Sequence, residues 1–211
     1  MKFDPYEYIG VIVPGLIVLL AASFLYPSIL PMLTADITIG GLGLILILAF
    51  ITGHLIQAGG NFVEILVWGL AGGMPTSWVA KAKTTLLDAE QLTRLEQRLQ
   101  ADFSCGLNSL KNGKGLTREI YLRLQKSGKT KMIDKFNGNY GLMRGTMIAL
   151  IISAITLLVQ DGYNWKGALG LFALAGIATY RMIRFGTHYA REIYVEYLNF
   201  ETSEAEPAPE I

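Results

Sequence analysis

The chain has 211 residues, a formal net charge of +1 and 52% apolar side chains. That apolar share, with its positive mean hydropathy, is too high for an ordinary soluble domain of this size, and a net charge so close to zero points to no particular partner. One cysteine, Cys105, excludes an intramolecular disulfide and any CxxC metal or redox motif, and reads as a small reduced core residue.

From the N-terminus, Asp4-Pro5-Tyr6-Glu7 is a helix start: an acid at the cap, proline at the first helical position and glutamate two residues further on. Ile9 to Tyr26 follows, 18 residues without a charge, which is the length of a spanning candidate. The acids ahead of it, and the second apolar segment soon after, argue against a signal peptide. Tyr6 and Tyr8 suit a headgroup boundary, and Pro14-Gly15 predicts a kink. Ile37 to Val63 gives 27 uncharged residues. At about 1.5 Å per residue that is about 40 Å, more than a hydrocarbon core of about 30 Å, so this helix is expected to project on one side. Gly72-Gly73-Met74-Pro75 breaks it or its extension.

Beyond the break, Leu92, Leu95, Leu99 and Phe103 recur at helical spacing on a charged background. A second amphipathic helix is marked by Ile120, Tyr121 and Leu124 after a Gly113-Lys114-Gly115 turn. A third, short one is marked by Met132, Ile133 and Phe136 and leads into Asn137-Gly138-Asn139. Two further spans follow, Leu142 to Val159 and about Gly167 to Ile183. The tail from Glu201 to Ile211, with four glutamates and two prolines, reads as disordered, or as a mobile acidic plug or competitor for a basic site. The expected organisation is a first hairpin over 1–63, a basic helical region over 64–141, a second hairpin over 142–184, a helix extension over 185–200 and the tail over 201–211. The fold class is an all-α integral membrane protein with four transmembrane helices in two hairpins and a small helical cytoplasmic insert. A soluble bundle of buried helices is the rival reading.

Charge placement sets the orientation. Of 18 Lys and Arg, 12 lie between Lys81 and Lys135, whereas the connectors at 27–36 and 160–166 hold only Lys166. Basic segments beside spans stay cytoplasmic. Both termini and the middle region are therefore expected inside.

Three polar stripes stand out. On the third span Thr146, Ala149, Ser153, Thr156 and Gln160 share one face. Small side chains and hydroxyls can line a water-filled path or form a close helix-packing interface, and four spans of one chain are too few to enclose a channel without further copies. On the second helix His54, Gln57, Asn61 and Glu64 share a face where that helix leaves the membrane, which is either a functional surface or a hydrogen-bonded stripe. On the fourth, Arg181, Arg184, His188 and Arg191 repeat the spacing, with Tyr180, Tyr189 and Tyr194 nearby. Arginines there snorkel to anionic membrane lipid or form a cationic surface for a phosphate-bearing ligand, with aromatics able to stack on bases. Glu64 and Glu192 are available to pair with them.

Enzyme chemistry is not expected. The two histidines, His54 and His188, accompany no nucleophile motif. Glu64 and Glu192 could join them around zinc, but no HExxH-type motif supports a metal. Gly113-Lys114-Gly115 lacks the glycine spacing and the Ser or Thr of a phosphate loop. No cofactor is implied.

The layout of residues 1–200, with Phe3-Asp4-Pro5-Tyr6-Glu7-Tyr8 and Gly53-His54-Leu55-Ile56-Gln57, resembles the small bacterial membrane effectors of nucleotide-signalled anti-phage defence. Among these it is most similar to the four-span channel subunits of Hailong systems. The resemblance implies a homotetrameric ion channel controlled by an oligodeoxyadenylate made by a cognate nucleotidyltransferase. It carries over no residue roles. The expected function is thus a homo-oligomeric channel gated by a cytoplasmic anionic nucleotide or oligonucleotide. The third-span stripe would line its pore, and Arg181, Arg184, His188, Tyr189 and Arg191 would bind the ligand. The alternative is a non-conducting membrane scaffold whose basic insert recruits a cytoplasmic protein.

Overall fold

In a computed structural model, the residues described are 5–29, 31, 39–81, 85–111, 114–159 and 164–200. Regular structure among them is helical throughout. Helix α1 spans Pro5–Leu25, α2 Ile39–Leu70, α3 Ala89–Phe103, α4 Lys114–Lys126, α5 Lys131–Val159 and α6 Trp165–Asn199, with 3-10 turns at Pro75–Ala80 and Leu107–Leu110. Four of these helices, α1, α2, α5 and α6, are long and apolar enough to cross a membrane. The chain divides into two compact units, Met1–Gly72 with Lys135–Gly186, and Gly73–Asp134 with Thr187–Ile211.

The first unit is built on close backbone approach. A Cβ added at Gly15 would lie 1.8 Å from the carbonyl oxygen of Ala49, and one at Gly53 would lie 2.0 Å from that of Val11. Only glycine permits α1 and α2 to cross so tightly, the usual packing of membrane helices, where small residues stand in for a hydrophobic drive. Ile56, Met147, Ile148, Ala149, Ala178 and Met182 close the core between α2, α5 and α6. The outward faces are apolar and exposed, as at Leu55, Phe62, Leu169 and Ile177, which suits hydrocarbon as solvent.

The second unit has a core of ordinary soluble kind. Leu95 and Leu99 of α3, Ile120 and Leu124 of α4, Ile133, and Ile193, Tyr194 and Tyr197 of α6 are all buried in one cluster. Each such aliphatic side chain contributes roughly 1.5–3 kcal/mol relative to exposure. Helix α3 starts at a complete capping box: the Asp88 carboxylate accepts from Gln91 N–H at 2.7 Å, and the Asp88 N–H donates to Gln91 Oε1 at 3.1 Å. Gly72 and Gly73, at φ 80° and 101°, turn the chain after α2.

One expectation needs correction. The short helix around Met132 and the third span are one helix, α5, which runs through Asn137-Gly138-Asn139 without a break. A glycine and two asparagines lower helix propensity by about 1 kcal/mol or less each, too little to stop a helix tied down by packing at both ends. Helix α2 continues past Val63 to Leu70 and stops just before Gly72-Gly73, where the sequence places its break. The proposed cap Asp4, the turn residue Gly113 and the acidic tail lie outside the described residues.

Candidate functional site

Proline inside a helix removes one N–H, so the carbonyl four residues back loses its partner. Helix α1 runs through Pro14, and the carbonyl so released is that of Gly10. Gln57 of α2 fills the vacancy: its Nε2 donates to Gly10 O at 2.9 Å and to Gly141 O of α5 at 3.1 Å. Its Oε1 in turn accepts from Arg144 Nη2 at 3.0 Å and Nε at 3.3 Å. Both donors and the acceptor of one amide are thus used, and a single side chain ties three helices together. A Cβ at Gly145 would lie 2.7 Å from Gln57 Nε2 and 2.8 Å from Pro14 Cγ, so glycine there keeps the junction open.

Arg144 completes the cluster. Its Nη1 donates to the Glu64 carboxylate, in an ion pair with both side chains largely buried. Its guanidinium carbon lies 5.8 Å from the centroid of the Tyr140 ring, whose hydroxyl accepts from Trp68 Nε1 at 2.9 Å. A Cβ at Gly186 would meet Trp68 at 2.8 Å, so this glycine lets α6 pass beside the indole. A charge among apolar helices is tolerable only when paired and hydrogen-bonded in this way.

The second-helix stripe therefore divides. Gln57 and Glu64 turn into the cluster, while His54 and Asn61, about 60° round the same face, are exposed, with Phe50 edge-on to the His54 ring at 4.4 Å. Glu64 makes its ion pair with Arg144 of α5, not with an arginine of α6.

On α5, Ala149, Ser153 and Thr156 are buried within the chain. Ser153 Oγ donates to Ala149 O at 2.7 Å, and Thr156 Oγ1 to Ile152 O at 3.0 Å. The Thr146 hydroxyl is buried and has no hydrogen-bond partner among the described residues. Gln160 lies outside them.

The stripe on α6 also divides. Arg181 is exposed, its guanidinium carbon 5.0 Å from the Phe185 ring centroid, and Tyr180 beside it is exposed. Arg184 is exposed and His188 half-buried, both in contacts within the chain. Arg191 is taken up structurally: its Nε donates to Leu86 O at 2.8 Å in the second unit. Tyr189 is half-buried, and Tyr194 is buried with its hydroxyl donating to Thr76 O at 2.6 Å. No cluster of three or more His, Cys, Asp and Glu able to hold a metal occurs among the described residues.

No family model, curated protein or solved structure matches this chain.

Arg144, Tyr140 and the two glycine carbonyls escaped the sequence reading. A signal for Arg144 exists, since it is the one charge in the apolar run that opens at Leu142. The signal for Gly10 is subtler: a mid-helix proline always leaves a carbonyl that something else must satisfy.

Proposed function

We propose that the chain is a homo-oligomeric ion channel of the bacterial inner membrane, controlled from the cytoplasm by an anionic nucleotide or oligonucleotide. Its four spans form two hairpins, with the basic middle region and both termini inside, an orientation supported by the loop charges. The observation that carries the reading is the Gln57–Arg144–Glu64 cluster. Lipid anchoring needs only apolar spans, whereas ionisable groups held among membrane helices are costly and mark ion paths or moving parts. Thr146, whose buried hydroxyl has no partner among the described residues, adds support. In this reading the α5 face of Thr146, Ala149, Ser153 and Thr156 is shut against the chain's own helices at rest and becomes wet when α5 parts from them.

The ligand surface of the proposal is the exposed part of the α6 stripe, Arg181 and Arg184 with Tyr180, whose guanidinium and phenol groups suit phosphates and bases. Arg191, already engaged with Leu86 O, leaves this surface. A nucleotidyltransferase partner and a role in phage defence follow from the family resemblance. The test is ion flux from liposomes holding the purified protein, with and without short oligodeoxyadenylates. Ligand-dependent flux that Arg181→Glu with Arg184→Glu abolishes, while the copy number is kept, is the expected result. Flux that responds to ligand equally in that double variant removes the sensor assignment.

A second reading, a non-conducting scaffold, is favoured by one observation: Ala149, Ser153 and Thr156 are buried inside a single copy. It expects no flux under any condition and a cytoplasmic protein bound to the basic insert.

A further inference from the structure

Helix α2 carries on its exposed side a seam that nothing among the described residues covers. Ile47, Ile51, His54, Ala58, Asn61 and Ile65 follow one another at spacings of four, three, four, three and four, and all six are exposed. The isoleucines are 58%, 52% and 73% exposed in chain order. That alternation is the heptad spacing of a left-handed helix pair, in which successive side chains insert between those of a parallel neighbour. Membrane bundles use the same crossing.

Two members of the seam do not belong in lipid. His54 stands 15 residues into α2, so about 22 Å along its axis, inside a hydrocarbon layer of about 30 Å. Asn61, about 10 Å further along the axis, stands at the layer's inner edge. Neither side chain forms a hydrogen bond among the described residues. Polar groups in such places pair across helices.

We infer that this seam is the contact between copies of the chain, with α2 lying parallel to α2 of a second copy and Asn61 and His54 hydrogen-bonded across the junction. This rests on the homo-oligomeric reading given above and adds the surface through which the copies meet. Identity of the partner follows from self-complementarity. Copies inserted in the same direction around an axis bring like levels of α2 together. A carboxamide carries both donors and an acceptor, and a neutral imidazole carries one of each, so each group can satisfy its own counterpart. Ala58 between them lets the backbones approach. A foreign helix would need matching polar groups at the same seven-residue interval. One polar residue in such a seam also fixes register and copy number, at some cost in stability.

The experiment is oxidative crosslinking in native membranes with copper phenanthroline, in the full chain carrying Cys105→Ser. Asn61→Cys and His54→Cys are each expected to shift the chain from monomer to a dimer of doubled mass. Ile177→Cys, on the 58% exposed outer face of α6, is expected to stay monomeric. Asn61→Leu should reduce the copy number of the otherwise unmodified chain, measured by light scattering in detergent. An oligomer that crosslinks at Ile177, or at none of the three positions, overturns the seam and leaves the oligomeric reading standing. A crosslinked species whose mass is not twice that of the chain overturns the second copy as occupant. A monomer in native membranes and detergent alike removes both.

Discussion

At the scale of single residues, Gln57 is the most consequential side chain in the first unit, because its amide answers three separate demands. Gln57→Leu keeps the volume but strands the Gly10 carbonyl and two Arg144 donors, at about 1–3 kcal/mol for each buried group left unpaired. Pro14→Ala returns an N–H to Gly10 and so removes one of those demands. The loss from Gln57→Leu should therefore be about 1 kcal/mol smaller in the Pro14→Ala background, read by unfolding in detergent as a double-mutant cycle. Strict additivity would mean that Gln57 and Gly10 are not coupled. In the second unit, burial first and the Asp134 carboxylate second push the Tyr121 hydroxyl from its ordinary 10.0 to about 12, and that hydroxyl donates to Asp134 Oδ1 at 2.7 Å. The neutral phenol is thus favoured in the folded state. Its contribution is fully present below pH 10 and is lost as pH rises through about 12. Stability of the Tyr121→Phe variant should fall less steeply between those pH values than that of the parent chain, measured by circular dichroism. Parallel curves would show that Tyr121 titrates alike in both states.

At the scale of elements, the spanning helices were legible because membrane length is a one-dimensional property. Ile9 to Tyr26 and Ile37 to Val63 announce themselves by the absence of charge alone. The α5 hydroxyl face was legible as a face, since periodicity is local, but what it faces depends on distant parts of the chain. Gln57 and Arg144 stand 87 residues apart, and no local pattern joins them. Nor did composition mark the break-free run of α5 through Asn137-Gly138-Asn139, where packing outweighs weak propensity. The crossing of α1 over α2 is set by glycine, so it is the most brittle feature of either element. Gly53→Val places a branched side chain against the Val11 carbonyl, where even a Cβ comes to 2.0 Å. Backbone cannot yield as a flexible side chain does, and the variant should lose about 1–3 kcal/mol or more, seen as a lower unfolding midpoint in detergent. Gly59→Ala, on the same helix with open space at its Cβ, should be neutral or slightly stabilising and serves as the control.

At the scale of the whole molecule, the two units differ in the solvent their surfaces suit. The first is wrapped in leucine, isoleucine and phenylalanine; the second buries its aliphatics beneath charged helices. The single cysteine, half-buried Cys105, belongs to the second unit and reports its side of the membrane without any engineering. A membrane-impermeant maleimide should leave Cys105 untouched in intact spheroplasts and label it once the membrane is permeabilised. Labelling in intact spheroplasts would reverse the orientation read from the loop charges.

The proline in α1 also sets an order in time. The first span enters the membrane before the others exist, carrying at Gly10 a carbonyl with no donor in its own helix. Arrival of α2 brings the Gln57 amide that satisfies it, and α5 with Arg144 follows only after residues 73–134 of the second unit have been synthesised. Biogenesis thus passes through a pair of helices whose glutamine is engaged on one side and waiting on the other. For that interval the glutamine keeps an unpaired carboxamide oxygen among apolar helices, a cost that only α5 removes.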